Sequence, residues 1–510
     1  METITPWPLV AAIVGGLCWM ATTVIWRLYF HPLSRFPGPK LTAVTLWYEF
    51  YWNVVKKGQF MWRVEEMHQR YGPIVRINPH ELHILDPDFY DELYGCGVNS
   101  KRKLDKYEWW TRLAVASSST FTTVPHDLHR LRRAALNPFF SVASVTKLEP
   151  LIKSKVEKLS ARLDKIAQTG EVFRLDAALM ALTMDVICDY SFGRDRKYLD
   201  KPDFELQFKE AVVGATGGCF LMMQFPWIPS LMERIPQSIV KRTSPGVAYM
   251  LARQEDMIKQ VSPILAGTEG EKSGARSIFH ALRDNENLPP SERTLKRMCD
   301  EATLLTGAGS ETTGQTLTRM FFYLKHVPDA LERFREELDV AIPSEQDIPS
   351  WSTLQQLPYL TAVIKEALRL SYGITTRLPR VAHEDIIYKQ YVIPAGTPVS
   401  QTGCFILMDP TVFPEPHVFK PERWLDSGKR LDRYLVPFGK GSRACLGIRY
   451  GSTLAYAEMY LTAATIVKRF DWEMYETTLG RDIACHRDAF VALGAHDSPG
   501  VRATMSRRKL

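Results

Sequence analysis

The residue types that could do chemistry gather in two short phrases of this 510-residue chain. The first is PFGKGSRACLG, Pro437 to Gly447, where Cys445 closes a glycine-rich turn that also carries Phe438, Gly441 and Arg443. Backbone N–H donors and a positive neighbourhood hold a cysteine as its thiolate, the form that binds metals. For a lone cysteine the plain alternative is a buried structural thiol. The second phrase is LLTGAGSETTGQT, Leu304 to Thr316, which sets Glu311 beside Thr312. A carboxylate and a hydroxyl so placed can pass protons to a reacting group. Gly307 and Gly309 in mid-helix cost ~1 kcal/mol each relative to Ala. That cost is explicable if the backbone passes close to something flat and bound. The plain alternative is a crossing of small-residue helices, with Glu311 solvated and Thr312 bonded to its own backbone.

Other polar groups recur at suggestive spacings. Glu366 and Arg369 lie one helical turn apart in KEALRL, and PERW at Pro421–Trp424 supplies Arg423. Alone, such a Glu–Arg pair is a surface feature worth a few tenths of a kcal/mol. HRLRRAALNPFF carries His129 and Arg133, and TTRLPRVAHED carries Arg380. Guanidinium forks suit carboxylates. The eight cysteines, Cys18, Cys96, Cys188, Cys219, Cys299, Cys404, Cys445 and Cys485, include no CxxC pair and no zinc-finger spacing. They read as free thiols in a reducing compartment.

Long helical patterns must position these groups: roughly 144–168, 174–191, 203–215, 245–260, 294–325, 328–341 and 357–371. Strand-like runs fall near 73–77, 81–85, 391–393 and 397–401. The composition, 45% apolar and 24% charged, is that of a folded protein able to bury a large core. The net charge of +7 is modest, and no basic array with interleaved aromatics points to nucleic acid. From Trp7 to Trp26 the chain has no charged residue, and a helix of that length spans about 30 Å, a bilayer core. Tryptophans stand at both ends of it. Glu2 is the only charged side chain before the run, whereas Arg27, Arg35 and Lys40 follow it, which places the N-terminus in the lumen and the remainder in the cytosol. Pro32, Pro37, Gly38 and Pro39 then make a stiff extended connector. The expected organisation is an anchor at 1–30, a proline-rich hinge at 31–40 and one catalytic domain at 41–510.

Taken in order, Phe438, Gly441, Arg443, Cys445 and Gly447 resemble the haem-binding loop of the cytochrome P450 family. The Glu311–Thr312 helix, the Glu366–Arg369 pair, PERW and the His129–Arg133 helix follow the family's order too, so the resemblance covers the chain beyond the anchor. It implies a mainly α fold with small β-sheets, the cytochrome P450 fold, preceded by one transmembrane helix. It implies haem b with Cys445 as axial thiolate, a ligand that pushes electron density toward O–O cleavage. Phe438 would shield the sulfur, and a helix starting just after Cys445 would aim its positive end at it. His129, Arg133, Arg380 and Arg443 would hold the propionates. His129 stands where the family usually has Trp, and its charge depends on pH. Arg130 and Arg132 are expected to face outward. Glu311 and Thr312 would relay protons where the local helix opens, and Glu366, Arg369 and Arg423 would lock the segment that positions the thiolate loop.

Phrases such as RRAALNPFFS and FPEPHVFKPERWL are similar to fungal microsomal members, oxygenases of secondary metabolism of the trichodiene-oxygenase type. The implied reaction is monooxygenation of a lipophilic small molecule, a terpenoid or polyketide-derived intermediate, at the endoplasmic reticulum membrane. Electrons would come from NADPH through a separate cytochrome P450 reductase, with cytochrome b5 as a further donor, since the chain has no flavin or dinucleotide fingerprint. The substrate pocket would draw on about 96–125, on the apolar run 219–229 and on Gly373–Thr376, with Trp227 and Ile228 equally suited to membrane contact. The rival readings are a haem-thiolate isomerase, dehydratase or peroxygenase needing no reductase, and a non-enzymatic haem sensor.

Overall fold

The computed structural model describes residues 7–95, 102–113, 116–228, 231, 234–235, 239–240, 242, 245–268, 277–427, 430–447 and 454–509. Helix α1 (Trp7–Ile25) runs on as a π-helical turn to Phe30. Its span Leu9–Phe30 has a mean hydropathy of 1.9, and none of it is buried against the rest of the protein. The connector is seated on the domain. Leu33 and Phe36 are buried, Phe36 stacks on Tyr391 at 5.5 Å, and the Pro37 carbonyl accepts the Arg76 N–H at 2.8 Å.

The domain proceeds through α2 (Phe60–Tyr71), β1 (Ile74–Arg76), β2 (Leu82–Ile84), β3 (Leu104–Lys106), α3 (His126–Leu136) and α4 (Val142–Thr169). There follow β4 (Phe173–Arg174), α5 (Leu175–Phe192), α6 (Leu206–Gly217), α7 (Pro245–Ala266), α8 (Leu295–His326), α9 (Pro328–Ala341) and α10 (Pro358–Ser371). Strands β5 (Arg380–Ala382), β6 (Ile386–Tyr388), β7 (Tyr391–Ile393) and β8 (Pro398–Ser400) precede the cysteine loop. After it come α11 (Leu454–Arg469), β9 (Phe470–Met474), β10 (Arg487–Ala489), β11 (Val491–Leu493) and β12 (Arg502–Arg507).

All seven expected helical segments are present, as are the four strand runs, and the fold is mainly α with small sheets. The helix expected to begin just after Cys445 falls on 448–453, outside the described residues; α11 begins at Leu454. The largest sheet has the order β1-β2-β8-β5-β3. Its outer pair sets Lys106 directly opposite Arg380.

Helix α8 is the axis of the fold. Thr294 caps it by accepting the Arg297 N–H, and Pro328 prevents its continuation. It packs on α5, a largely apolar helix buried over nearly all its length. The approach is close: a Cβ on Gly314 would sit 3.0 Å from Met180 Cα, and one on Gly309 would sit 3.0 Å from the Ile187 side chain. These two glycines serve the helix crossing.

Candidate active site

The cysteine loop is built on backbone contacts that only small residues permit. Gly441 adopts φ +74°, and a Cβ there would lie 2.0 Å from the Tyr94 carbonyl oxygen, so the turn requires glycine. The Cys445 N–H donates to the Phe438 carbonyl at 2.8 Å, bringing Phe438 back beside the cysteine, while the Phe438 ring lies 5.7 Å from Tyr456. Cys445 is exposed, whereas Cys188, Cys219, Cys299 and Cys404 are buried. Burial pushes the Cys188 and Cys299 thiols up to about 11, and that of Cys485 to about 12. Among the described cysteines of the domain, Cys445 is therefore the one suited to act as a thiolate ligand.

Cations converge on this loop. From α3, Arg133 grips the carbonyls of Ala444 and, at 3.2 Å, of Cys445. Arg443 donates to the carbonyls of Thr123, Val124 (2.7 Å) and Leu104 (3.3 Å), and its buried Nε has no partner. Arg380, 3% exposed, donates to the Pro379 carbonyl at 3.0 Å and lies over the Tyr94 ring. Lys106, which the sequence reading missed, is buried beside them with its ammonium 3.6 Å from the Phe121 ring centroid and bonded to the Phe121 carbonyl.

Like charges opposite one another across a sheet are destabilising, and here both are out of water. Burial and the neighbouring Arg380, Arg443 and Arg133 hold the Lys106 ammonium well below its ordinary pKa. Burial and Arg380 push Arg443 down to about 9. His129, buried one turn from Arg133, is pushed down to about 2 by burial and then by Arg443, Lys106, Arg133 and Arg380. Burial and these positive neighbours disfavour the charged form of its imidazole. The two propionates of haem would place anionic groups among these cations. The residues present fit the group.

Arg132 does not face outward as expected. Its fork is closed on Glu292 at 2.6 and 3.0 Å, and it donates to the Thr123 hydroxyl at 2.7 Å, pinning the loop before α3. Arg130 is exposed.

Helix α8 is largely buried, yet in its middle Ala308 and Thr312 are exposed and Leu304 and Gln315 half-buried. Their spacing makes one open stripe. A Cβ on Gly307 would meet nothing within 4 Å, so this glycine, unlike Gly309 and Gly314, lies against open space. The helix is continuous from Leu295 to His326, and Thr312 Oγ1 donates to the Ala308 carbonyl at 2.8 Å. The expected local opening is not a break in the helix but a hydroxyl held on a carbonyl four residues back. Glu311 is not solvated. It is 5% exposed, 3.9 Å from the Lys209 ammonium of α6, with Oε2 making no hydrogen bond.

Glu366 and Arg369 form a closed buried network. Arg369 holds Glu366 with both arms of its fork, at 3.0 and 2.8 Å. Arg423 Nε, Trp424 Nε1 and the Lys420 N–H donate to the same carboxylate at 3.1, 2.9 and 3.0 Å. The remaining guanidinium donors bind carbonyls of the intervening segment: Leu407, Pro416 and Val418 from Arg369, and Pro414 and Glu415 from Arg423.

Two of the three expected pocket regions meet in one apolar cluster. Trp110 and Leu113 pack with Cys219, Phe220 and Met223 of a short helix. Residues 96–101, 114–115 and 229–230 lie outside the described set. Trp227 is 58% exposed and belongs to the surface. The third region joins through Phe490, at the tip of the β10–β11 hairpin. Its carbonyl accepts the Thr375 N–H at 3.0 Å, and its ring meets Phe121 edge-on at 5.8 Å. Sequence reading missed Phe490; its only signal is an aromatic between two short alternating runs in DAFVAL.

The chain matches known proteins over most of its length. A family model described as Cytochrome P450 matches residues 41–494. The chain is 41% identical over 500 residues to "Cytochrome P450 monooxygenase sdnE" of Sordaria araneosa, covering 95% of both. It is 41% identical over 487 residues to "Tryptophan 6-hydroxylase fscE" of Fusarium equiseti, covering 94% of both. It is 40% identical over 461 residues to "Cytochrome P450 monooxygenase TRI4" of Fusarium sporotrichioides, covering 90% of this chain and 87% of that one.

Proposed function

This chain belongs to the cytochrome P450 family, and on that premise we propose that it inserts one oxygen atom of O2 into a lipophilic small molecule. It is a haem-thiolate enzyme whose electrons are supplied by a reductase, typically from NADPH. The proposed balance is R–H + O2 + two electrons + two protons giving R–OH + water. Haem, when bound, supplies the centre at which dioxygen is activated. In this reading Cys445 would hold the haem iron, Phe438 would cover the sulfur, and Arg133, Arg380, Arg443, Lys106 and His129 would receive the propionates.

The observation that carries monooxygenation over an isomerase or a haem sensor is Thr312 on the open stripe of α8, next to buried Glu311. The Thr312 hydroxyl accepts or gives a proton at Oγ1 while Ala308 keeps it oriented. Glu311, buried with the Lys209 ammonium 3.9 Å away, replenishes that proton from the α6 side. Trp110, Leu113, Phe220 and Met223 support an apolar substrate. A terpenoid or polyketide-derived intermediate suits that wall better than a charged amino acid. Residues 1–30 anchor the protein in the endoplasmic reticulum membrane, 31–40 connect, and 41–510 lie on the cytosolic side.

Thr312→Ala tests this. Haem loading and substrate binding should persist and NADPH should still be consumed. Product per NADPH should fall, by up to ~10²–10⁴ for a lost proton donor, with hydrogen peroxide released instead. Product, peroxide and NADPH are measured in one reaction with reductase. Unchanged coupling refutes the relay, and product formed by the wild type without reductase or NADPH moves the enzyme to the isomerase class.

A further inference from the structure

A second concentration of positive charge lies where α1 meets the domain, far along the sheet from the catalytic groups. Arg76 of β1 is 2% exposed. Its Nη1 donates to the Arg27 carbonyl and its Nη2 to the Pro79 carbonyl, each at 2.8 Å, while the buried Nε has no partner. Arg27 itself donates to the Val44 carbonyl. Among the described residues no carboxylate pairs with either guanidinium. Glu81, beside His80 in sequence, is taken by both arms of Arg377 at 2.8 and 2.9 Å.

Two imidazoles complete the cluster. His31 Nδ1 accepts the Leu33 N–H at 3.0 Å, which leaves Nε2 as its donor. Its ring lies 6.4 Å from His80 and edge-on to Trp26 at 4.7 Å. Arg27, His31 and His80 are half-buried, each with some surface open. Burial, and after it the charges of Arg76, His80 and Arg27, push the His31 imidazole down to about 4.

The position selects the ligand. Arg27 falls in the last turns of the apolar span Leu9–Phe30, and Trp26, Tyr29 and Phe30 around it are exposed. If α1 crosses the bilayer, these residues stand at headgroup level, where aromatic belts lie and lipid phosphates are concentrated. A guanidinium and imidazole N–H groups around one point suit phosphate oxygens. A soluble anion would have to find the same point against that crowd of headgroups.

We propose that Arg27, His31 and His80, set over the buried charge of Arg76, dock the phosphate of a membrane lipid headgroup, with preference for anionic lipids. The docked lipid fixes how the catalytic domain sits on the bilayer. The inference rests on α1 being the membrane anchor.

The test uses the full-length holoenzyme in nanodiscs of phosphatidylcholine with a minority of phosphatidic acid, and native mass spectrometry of the lipids retained after release. The wild type should keep phosphatidic acid about fivefold above its bulk share, the preference that one guanidinium at headgroup level, Arg27, contributes. Arg27→Gln or His80→Ala should cut that enrichment several-fold. Lys40→Gln, an exposed cation beyond the connector that follows the apolar span, should change it less than about twofold because the attraction falls off with distance from the headgroups. Equal loss from Lys40→Gln would mean diffuse attraction and overturn the site. Release of the lipid by millimolar inorganic phosphate would reassign it to a soluble anion and overturn it too. Insertion without enrichment refutes the site alone, whereas failure to insert into pure phosphatidylcholine refutes the anchor and the site with it.

Discussion

Arg369→Ala removes the centre of the network that ties α10 to the segment before the cysteine loop. Arg369 and Glu366 are both fully buried, so the change leaves a carboxylate that has lost two of its five donors. It also strips the carbonyls of Leu407, Pro416 and Val418 of their Arg369 donors. Breaking a buried pair on one side costs roughly 3–5 kcal/mol. Unfolding entropy of ~2.1 cal/mol/K per residue sums to on the order of 1 kcal/mol/K for a domain of this length. The expected loss is therefore about 3–5 °C in Tm, and more in yield because those carbonyls belong to the segment that positions the loop. Thermal unfolding, with haem quantified per polypeptide, measures both. Arg369→Lys keeps the charge without the fork and should fall between the two. A normally loaded Arg369→Ala protein melting within about 1 °C of wild type would refute the reasoning.

Burial pushes the Asp488 carboxyl from 3.8 up to about 6, against hydrogen bonds from Thr375 and the Phe490 N–H. Its folded pKa is raised, so its contribution to stability is complete below about pH 3.8 and is lost as pH rises through about 6. Asp488→Asn keeps the Oδ1 acceptor that Thr375 and Phe490 use, at 2.7 and 3.1 Å. It should stabilise the protein at neutral pH by on the order of 2–3 kcal/mol and flatten the pH dependence in that window. Denaturant unfolding of both proteins at pH 5 and pH 7.5 checks the sign; an Asp488→Asn variant no more stable than wild type at pH 7.5 contradicts it. Removal of residues 1–25, which spares Arg27 and its contacts, should move the protein to the soluble fraction with haem intact. Removal through Phe36 should cost folding, because Leu33 and Phe36 are buried in the core beside β1 and β2. Haem loss in the shorter truncation would count against an anchor separable from the domain.

What the sequence carried well was local. The 3.6-residue pattern placed α8 and α10, and the resemblance of the motifs and their order to the cytochrome P450 family singled out Glu311, Thr312, Glu366, Arg369 and Cys445. The Glu366 network was readable because PERW follows at a fixed place in that order. What it could not carry was set by contacts between distant segments. Lys106 sits in KRKLDKYEWW, a phrase with no periodicity, and matters only because the β3–β5 register sets it against Arg380. Arg132 reads as a solvated helix residue until Glu292, remote in the chain, closes on it. The Gly307–Gly309 pair divides between two roles, open space for one and the α5 crossing for the other, and helical spacing alone does not separate them.

Cys445, exposed at the end of a loop closed on Tyr94 and held at its carbonyl by Arg133, is proposed as the thiolate that holds the haem iron. The absorption difference spectrum of the reduced, carbon monoxide-treated protein reads that ligand directly. Wild type should give the strongly red-shifted band of a thiolate-bound haem. Cys445→Ser should lose that band and all turnover with reductase and NADPH, while Cys404→Ser and Cys485→Ser, which alter other thiols, should retain it. A Cys445→Ser protein that kept the red-shifted band would place the iron on another ligand and contradict the account.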